Sequence, residues 1–416
     1  MNILNILATQ ITVFDTNLQN APLEGVTKIV ADVIKFFSFG GYIAVGILLF
    51  SLVLKIIPLP FDIYSRVAMK KNALKMEKMR PELERLQKQY ANNKELYSQK
   101  MMALYKKEGY STFASCLPTI FTLVFFIIVI SAFTQYSTYC KIDIYNNMAV
   151  SYSQSIRENE NVEIRYYDVD DNGYIKEDSY GVISLGYYNE LDKSELYRVA
   201  YFTKEDLTEE EIKEKIIIPA QDSAADTYFA NSEANSFLWV KNIWIEDLPW
   251  KKAFVTKDVY LNSTFSYTKG CSCQAEQINS SIKNEEAYDI LMGSTKLDEL
   301  KKQPNGLLIL VAISIVSMLV SQLIMSKSQK AQMELQSVDG SAAQTSKMMT
   351  WMMPIMFGVF SFMYTASFSL YLIVSTAFST LSTVLINKIV EVKFNKNLKK
   401  LEEEKYNKRY GYLNKK

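Results

Sequence analysis

GYIAVGILLFSLVLKIIPL, residues 41–59, carries a single formal charge, Lys55. A helix crossing a hydrocarbon core needs about 20 mostly apolar residues, because no water is present there to satisfy the backbone amides. Four more stretches approach that length, at 116–133, 307–325, 348–364 and 368–386. The last two form one apolar block, divided at Tyr364-Thr365-Ala366-Ser367 because a helix of about 40 residues would be twice the membrane thickness. The expectation is an all-α polytopic membrane protein with five spans, at 40–60, 114–137, 304–326, 348–364 and 368–387.

The chain as a whole is nearly neutral, with 46 Lys plus Arg against 45 Asp plus Glu, but its loops are not. Residues 61–113 carry 12 basic and 6 acidic side chains, residues 388–416 carry 10 and 4, and residues 138–303 carry 18 and 30. Basic loops near a membrane are retained in the cytoplasm. Residues 61–113, the 327–347 loop and the 388–416 tail are therefore expected inside, and 1–39 and 138–303 outside, with an external N-terminus and a cytoplasmic C-terminus.

The sequence holds no histidine, which removes imidazole bases and imidazole metal sites. No catalytic residue, metal site or cofactor is expected, and the protein does not read as an enzyme. The N-terminal residues lack a basic leader with a small-residue cleavage site and are not read as a signal peptide. Within them Val26, Ile29, Val30, Val33, Ile34 and Phe37 follow helical spacing, which suits either an interfacial helix or a plain helical lead-in.

Residues 61–113 are rich in helix formers and read as a helical hairpin turning at Tyr90-Ala91-Asn92-Asn93, with Pro81 in a first helical turn. Its methionines suit lipid headgroups and apolar clients, or packing inside the hairpin. Residues 138–303 read as an inserted extracellular α+β domain. Strands are expected at 162–167, 181–188 and 197–202, and Thr208 with Glu211 forms a capping box. Asp168-Val169-Asp170-Asp171-Asn172-Gly173 resembles half of a calcium loop, but Ser179 stands where such a loop needs a bidentate Glu, so a hairpin turn is the expectation. Cys140, Cys271 and Cys273 would all lie outside, where a bridge from Cys140 to either of the others can persist.

Lys55 is the informative charge. A cation inside a span costs several kcal/mol unless water or a partner receives it. Two readings are open: the ammonium snorkels to the headgroups, or it faces a hydrated groove. The second draws on polar residues at helical spacing in other spans: Ser314, Ser317, Ser321 and Gln322; Ser375, Ser379 and Ser382; Thr119, Thr122 and Gln135; with Ser51 in the first span itself. Small hydroxyl residues also let membrane helices pack closely, the alternative for any of them.

Several motifs resemble one family. Met79-Arg80-Pro81-Glu82-Leu83 with Leu86-Gln87-Lys88-Gln89-Tyr90, then Ala103-Leu104-Tyr105-Lys106-Lys107-Glu108-Gly109 before Cys116-Leu117-Pro118, are similar to the cytoplasmic hairpin and second span of the YidC/Oxa1/Alb3 membrane insertases. Ser236-Phe237-Leu238-Trp239-Val240 with Asp247-Leu248 resembles the outer segment before the third span. Met352-Met353-Pro354-Ile355-Met356-Phe357, Leu370-Tyr371 and Leu385-Ile386-Asn387-Lys388 resemble the last two spans. The chain is identified as a divergent bacterial member with an extra external domain. Lys55, five residues before Pro60, stands where the family usually carries an arginine. Thr112-Phe113 replaces Asn-Pro, Thr365-Ala366-Ser367 replaces Pro-Ala-Gly, and Leu372 and Ser382 replace Trp and Gln.

The resemblance implies a protein of the bacterial cell membrane that inserts and helps fold client transmembrane segments, without nucleotide hydrolysis or a cofactor. Nascent membrane proteins would be its clients, and the ribosome, the Sec translocon and anionic lipids its further partners; the basic tail suits ribosomal RNA, lipid, or a simple stop signal for the last span. The rival readings are a small-solute transporter, for which no internal repeat is seen, and a membrane-anchored external sensor or scaffold.

Overall fold

A computed structural model of the chain describes residues 9–14, 18–19, 23–110, 113–192, 195–204, 207–261, 267–268, 284–334, 352, 355–356 and 358–410. In chain order the elements are β1 (Gln10–Ile11), β2 (Leu18–Gln19), α1 (Gly25–Phe37), α2 (Ile43–Ile56), α3 (Leu59–Gln89), α4 (Lys94–Lys107) and α5 (Phe113–Glu158). There follow β3 (Val162–Val169), β4 (Ile175–Ile183), α6 (Leu185–Glu190), β5 (Val199–Thr203), α7 (Glu209–Ile212) and α8 (Ile218–Ala234), then α9 (Lys257–Leu261), β6 (Tyr267–Thr268), α10 (Asn284–Leu291), α11 (Asp298–Lys302), α12 (Ile309–Glu334) and α13 (Ala366–Tyr410). They form two compact units, one of Met1–Ala44, Ala132–Leu308 and Thr365–Ser367, the other of Val45–Ser131, Ile309–Tyr364 and Phe368–Lys416.

The first unit is built on an antiparallel sheet in the order β1-β5-β3-β4. Ile164 lies opposite Tyr201 on one side and Ile183 on the other. One core is packed from Met148, Tyr152 and Ile156 of α5, Ala220, Ala224 and Tyr228 of α8, and Val162, Val199 and Tyr201 of the sheet. Each large apolar side chain so buried contributes roughly 1.5–3 kcal/mol. α5 reaches this core because residues 138–158 contain no glycine or proline to end the helix. It therefore runs on past residue 137, the expected end of the second span.

Local signals act as expected in several places. Thr208 and Glu211 complete their capping box. Asp170 Oδ1 accepts the N–H groups of Asn172 and Tyr174, and Gly173 takes φ 83°, so this segment is a hairpin turn. Ser179 Oγ donates to Asp168 Oδ2 at 2.7 Å, taking up the first carboxylate of the calcium-loop pattern. The expected strand at 181–188 ends early, at Ile183. Ser184 caps a short helix there, its hydroxyl accepting Tyr187 N–H, so residues 185–188 turn helical. In α1, Val30 and Ile34 are buried with Thr27 and Ala31, while Val26, Ile29 and Phe36 are exposed.

A joint of buried polar groups lies at the end of α8. Trp244 is fully buried and donates its indole N–H to Asn235 Oδ1 at 2.6 Å. Asn305 accepts Asn242 N–H and donates to the carbonyls of Asn242 and Glu246. Asp247, also fully buried, accepts Leu307 N–H on Oδ1 at 2.8 Å and Leu308 N–H on its carbonyl at 3.2 Å. The turn Thr365–Ser367 is held by main chain alone on this side, Ala366 N–H donating to Ile245 O and Ser367 N–H to Ile243 O.

In the second unit the hairpin expected at 61–113 is formed by α3 and α4. Met76, Met79, Leu83 and Leu104 make its core, which puts these two methionines inside, whereas Met102 is exposed. Asn93 caps α4 by accepting Leu96 N–H. Pro81 sits well inside α3 rather than in a first turn. Glu77 and Pro81 are both exposed, so the carbonyl that Pro81 leaves without a donor faces solvent.

Among the described residues three helical stretches are long and apolar enough to cross a membrane, Val124–Glu158, Ile309–Lys327 and Ala366–Val392. The pair Ile43–Ile56 and Leu59–Gln89, bent by 41°, passes the same test when taken together, as a broken span or a re-entrant loop. Of the expected span at 348–364, residues 348–351, 353–354 and 357 lie outside the described residues.

Candidate functional site

α2 ends at Ile56 and α3 starts at Leu59, with Pro58 as its N-cap. The bend in this pair brings the last turn of α2 and the first two turns of α3 to one cavity of about 410 Å³ in the second unit. Its wall includes Lys55, Asp62 and Arg66 from this pair, Phe125, Phe126 and Val129 from α5, Met325 from α12, and Tyr371, Ser379, Ser382 and Thr383 from α13.

Lys55 therefore lines a recess, and it is not the only cation there. Arg66 lies one helical turn beyond Asp62, in the segment read from sequence as hairpin. Its guanidinium reaches α13, Nη2–H donating to Thr383 Oγ1 at 2.7 Å and Nη1–H to Asn387 Oδ1 at 3.1 Å. Nε is buried with no hydrogen-bond partner. Thr383 and Asn387 are four apart and thus on one face of α13, so a single planar fork meets both. Asp62 interacts electrostatically with both cations, but neither lies within ion-pair distance of it. Two positive charges and one negative, four hydroxyl-bearing residues and the rings of Phe125 and Phe126 make a polar recess bounded by apolar side chains.

The other expected site residues are distributed as follows. Ser379 and Ser382 line the cavity with Lys55. Ser375 is buried and is not part of the cavity wall. Ser321 accepts Thr380 Oγ–H at 2.6 Å, and Ser314 pairs with Ser361 at 3.0 Å, so both join helices by hydroxyl contacts. Ser51 donates to Ile47 O in its own helix. Gln135 belongs to the first unit, where Oε1 accepts Thr27 Oγ–H. Ser317 and Gln322 are half-buried and away from the cavity wall. The side chains of Thr119 and Thr122 lie outside the described residues, as do Cys271 and Cys273; Cys140 is a free thiol. No group of three or more His, Cys, Asp or Glu able to hold a metal occurs among the described residues.

The model of the family described as 60Kd inner membrane protein matches residues 35–167 and 227–394. The unmatched residues 168–226 fall within the segment 138–303. Among curated relatives, the Membrane protein insertase YidC of Treponema denticola is 32% identical over 116 residues, 28% of this chain and 19% of the relative. The Membrane protein insertase YidC 1 of Streptococcus pyogenes serotype M6 is 36% identical over 112 residues, 26% of this chain and 39% of the relative. The Membrane protein insertase YidC of Clostridium perfringens is 34% identical over 103 residues, 25% of this chain and 41% of the relative. The match thus spans less than half the length of each of these relatives. No solved structure matches the chain.

Proposed function

As the chain belongs to the 60Kd inner membrane protein family, the YidC/Oxa1 family, we propose that it is a membrane insertase whose recess at Lys55 and Arg66 takes up polar flanks of client segments from the cytoplasm. The observation that carries this reading is the cavity with two cations in its wall, one of them with a buried N–H that nothing accepts. A carboxylate or carbonyl of the client supplies the missing acceptor. The apolar residues of the client then leave water for lipid, each yielding about 1.5–3 kcal/mol, so no nucleotide or cofactor is needed to drive the transfer.

The orientation follows the loop charges: five spans, 1–39 and 138–303 outside, 61–113 and the tail inside, in a bacterial cell membrane. Ser379 and Ser382 offer further hydrogen bonds to a sliding segment, while Ser314 and Ser321 act as packing contacts. The basic tail meets anionic lipid or a ribosome.

The test is the inserted fraction of two clients, one with acidic residues flanking its span and one without, in proteoliposomes at matched protein levels. Lys55→Arg is expected to retain insertion of both. Lys55→Ala is expected to reduce chiefly the acidic-flanked client, and Lys55→Glu to reduce it further by like-charge repulsion. Equal activity of Lys55→Ala and Lys55→Glu on both clients would refute the groove and favour snorkelling.

A further inference from the structure

Resting on that reading, the geometry points to Asp62 as a second pole of the recess, a binding site for basic client side chains. A carboxylate beside two cations would ordinarily be neutralised by one of them. Arg66 is well spaced for this, since residues four apart on a helix are neighbours. Instead its two terminal nitrogens are held by Thr383 and Asn387. Among the described residues Asp62 accepts no hydrogen bond and forms no ion pair within 4.0 Å, yet it is part of the cavity wall and half-buried. A carboxylate has about four acceptor positions. Left open in the cavity wall, they suit an ammonium or guanidinium group more than any neutral donor, because hydrogen bonds between ionised partners are about twice as strong as neutral ones.

The lining is therefore two-signed. A client lysine or arginine engages Asp62 while Lys55 and the free Nε of Arg66 receive acidic groups, so the recess handles segments whose flank carries either sign. The plain structural role for Asp62 is at the start of a helix: it lies in the first turn of α3, where a negative charge complements the positive end of the helix dipole. That role is independent of the client, which separates the two readings.

The experiment uses the full-length protein in proteoliposomes and three clients identical except for the flank of the inserted span: neutral, two glutamates, or two lysines. Asp62→Asn is expected to lower insertion of the lysine-flanked client about five- to tenfold more than that of the neutral client, while Asp62→Glu, which keeps the charge, restores it. Equal loss on all three clients would assign Asp62 to helix-start stability, and a gain on the glutamate-flanked client without loss on the lysine-flanked one would make it a screen for the cations; either result overturns the proposal, as does no change. Wild-type insertion of the neutral and glutamate-flanked clients with no effect of Asp62→Asn sinks this assignment alone. Failure of the wild-type protein to insert any client sinks the insertase reading and this inference with it.

Discussion

Gly306→Ala would put a methyl group where the structure has no room. A Cβ built on Gly306 falls 1.9 Å from Asp247 Oδ1 and 2.8 Å from Asp247 Cα. The first contact is with a carboxylate that cannot swing aside without releasing Leu307 N–H, and the second is with backbone. Overpacking of this kind costs about 1–3 kcal/mol. Losing a hydrogen bond to a charged group costs about 1.5–3 kcal/mol more. Relaxation takes back part of each, so a destabilisation of about 3 kcal/mol is expected, read as unfolding free energy in nanodiscs. Asp247→Ala alone should cost about 1–3 kcal/mol by leaving Leu307 N–H without its acceptor. Since both substitutions break that same bond, their costs should not add: the double variant should be at least about 1 kcal/mol more stable than additivity gives. A Gly306→Ala protein within about 0.5 kcal/mol of wild type, close to the ordinary scatter of surface substitutions, or strict additivity of the pair, would refute the reasoning.

A thiol label introduced near Lys94 is expected to react only from the cytoplasm and one near Asp222 only from outside; labelling of both from one side would overturn the orientation. Excising residues 168–226 strips cover from Met148, Tyr152 and Ile156, so the yield of membrane-inserted protein should fall, whereas removing 144–234 and 256–302 together takes out both sides of that core, keeps Trp244, Asn242 and Asn305, and should leave insertion of simple clients intact. The reverse order would show that the outer core is not what holds this segment together. Burial raises the Tyr260 phenol from 10.0 to about 12. Between those values the folded state holds a proton that the unfolded state has lost, so stability is full below pH 10 and falls as pH rises towards 12. Tyr260→Phe should flatten that fall, followed by unfolding free energy against pH.

What was legible from sequence was what neighbours in the chain decide. The hairpin turn at residues 90–93, the Thr208 cap and the Asp170 turn each depend on side chains within a few positions of the backbone they bond. Lys55 stands out for a similar reason, as a charge in an otherwise apolar run. Arg66 was missed because its role is set by α13, more than 300 positions away; in its own neighbourhood it is one of many basic residues in a loop that reads as cytoplasmic. The available signal was the pairing of spacings, Asp62 with Arg66 and Thr383 with Asn387, each four apart on helices that flank the Lys55 level. Gln135 shows the opposite failure. Its helical spacing is that of a groove residue, but its oxygen is taken up by Thr27, from an N-terminal segment whose position no periodicity could give.

The turn Thr365–Ser367 is gripped through the N–H groups of residues 366 and 367, and among the described residues no side-chain hydrogen bond joins it to residues 243–245. These two bonds depend on the peptide and on size, while within the turn the Thr365 and Ser367 hydroxyls pair at 2.7 Å. Proline is excluded at 366 and 367, since it would delete a donor, and Ala366 and Ser367, both fully buried, admit only small residues. At 365 the amide is not part of the grip. Proline introduced at 366 or 367 should therefore release the turn, whereas a substitution of Thr365 leaves both main-chain bonds in place.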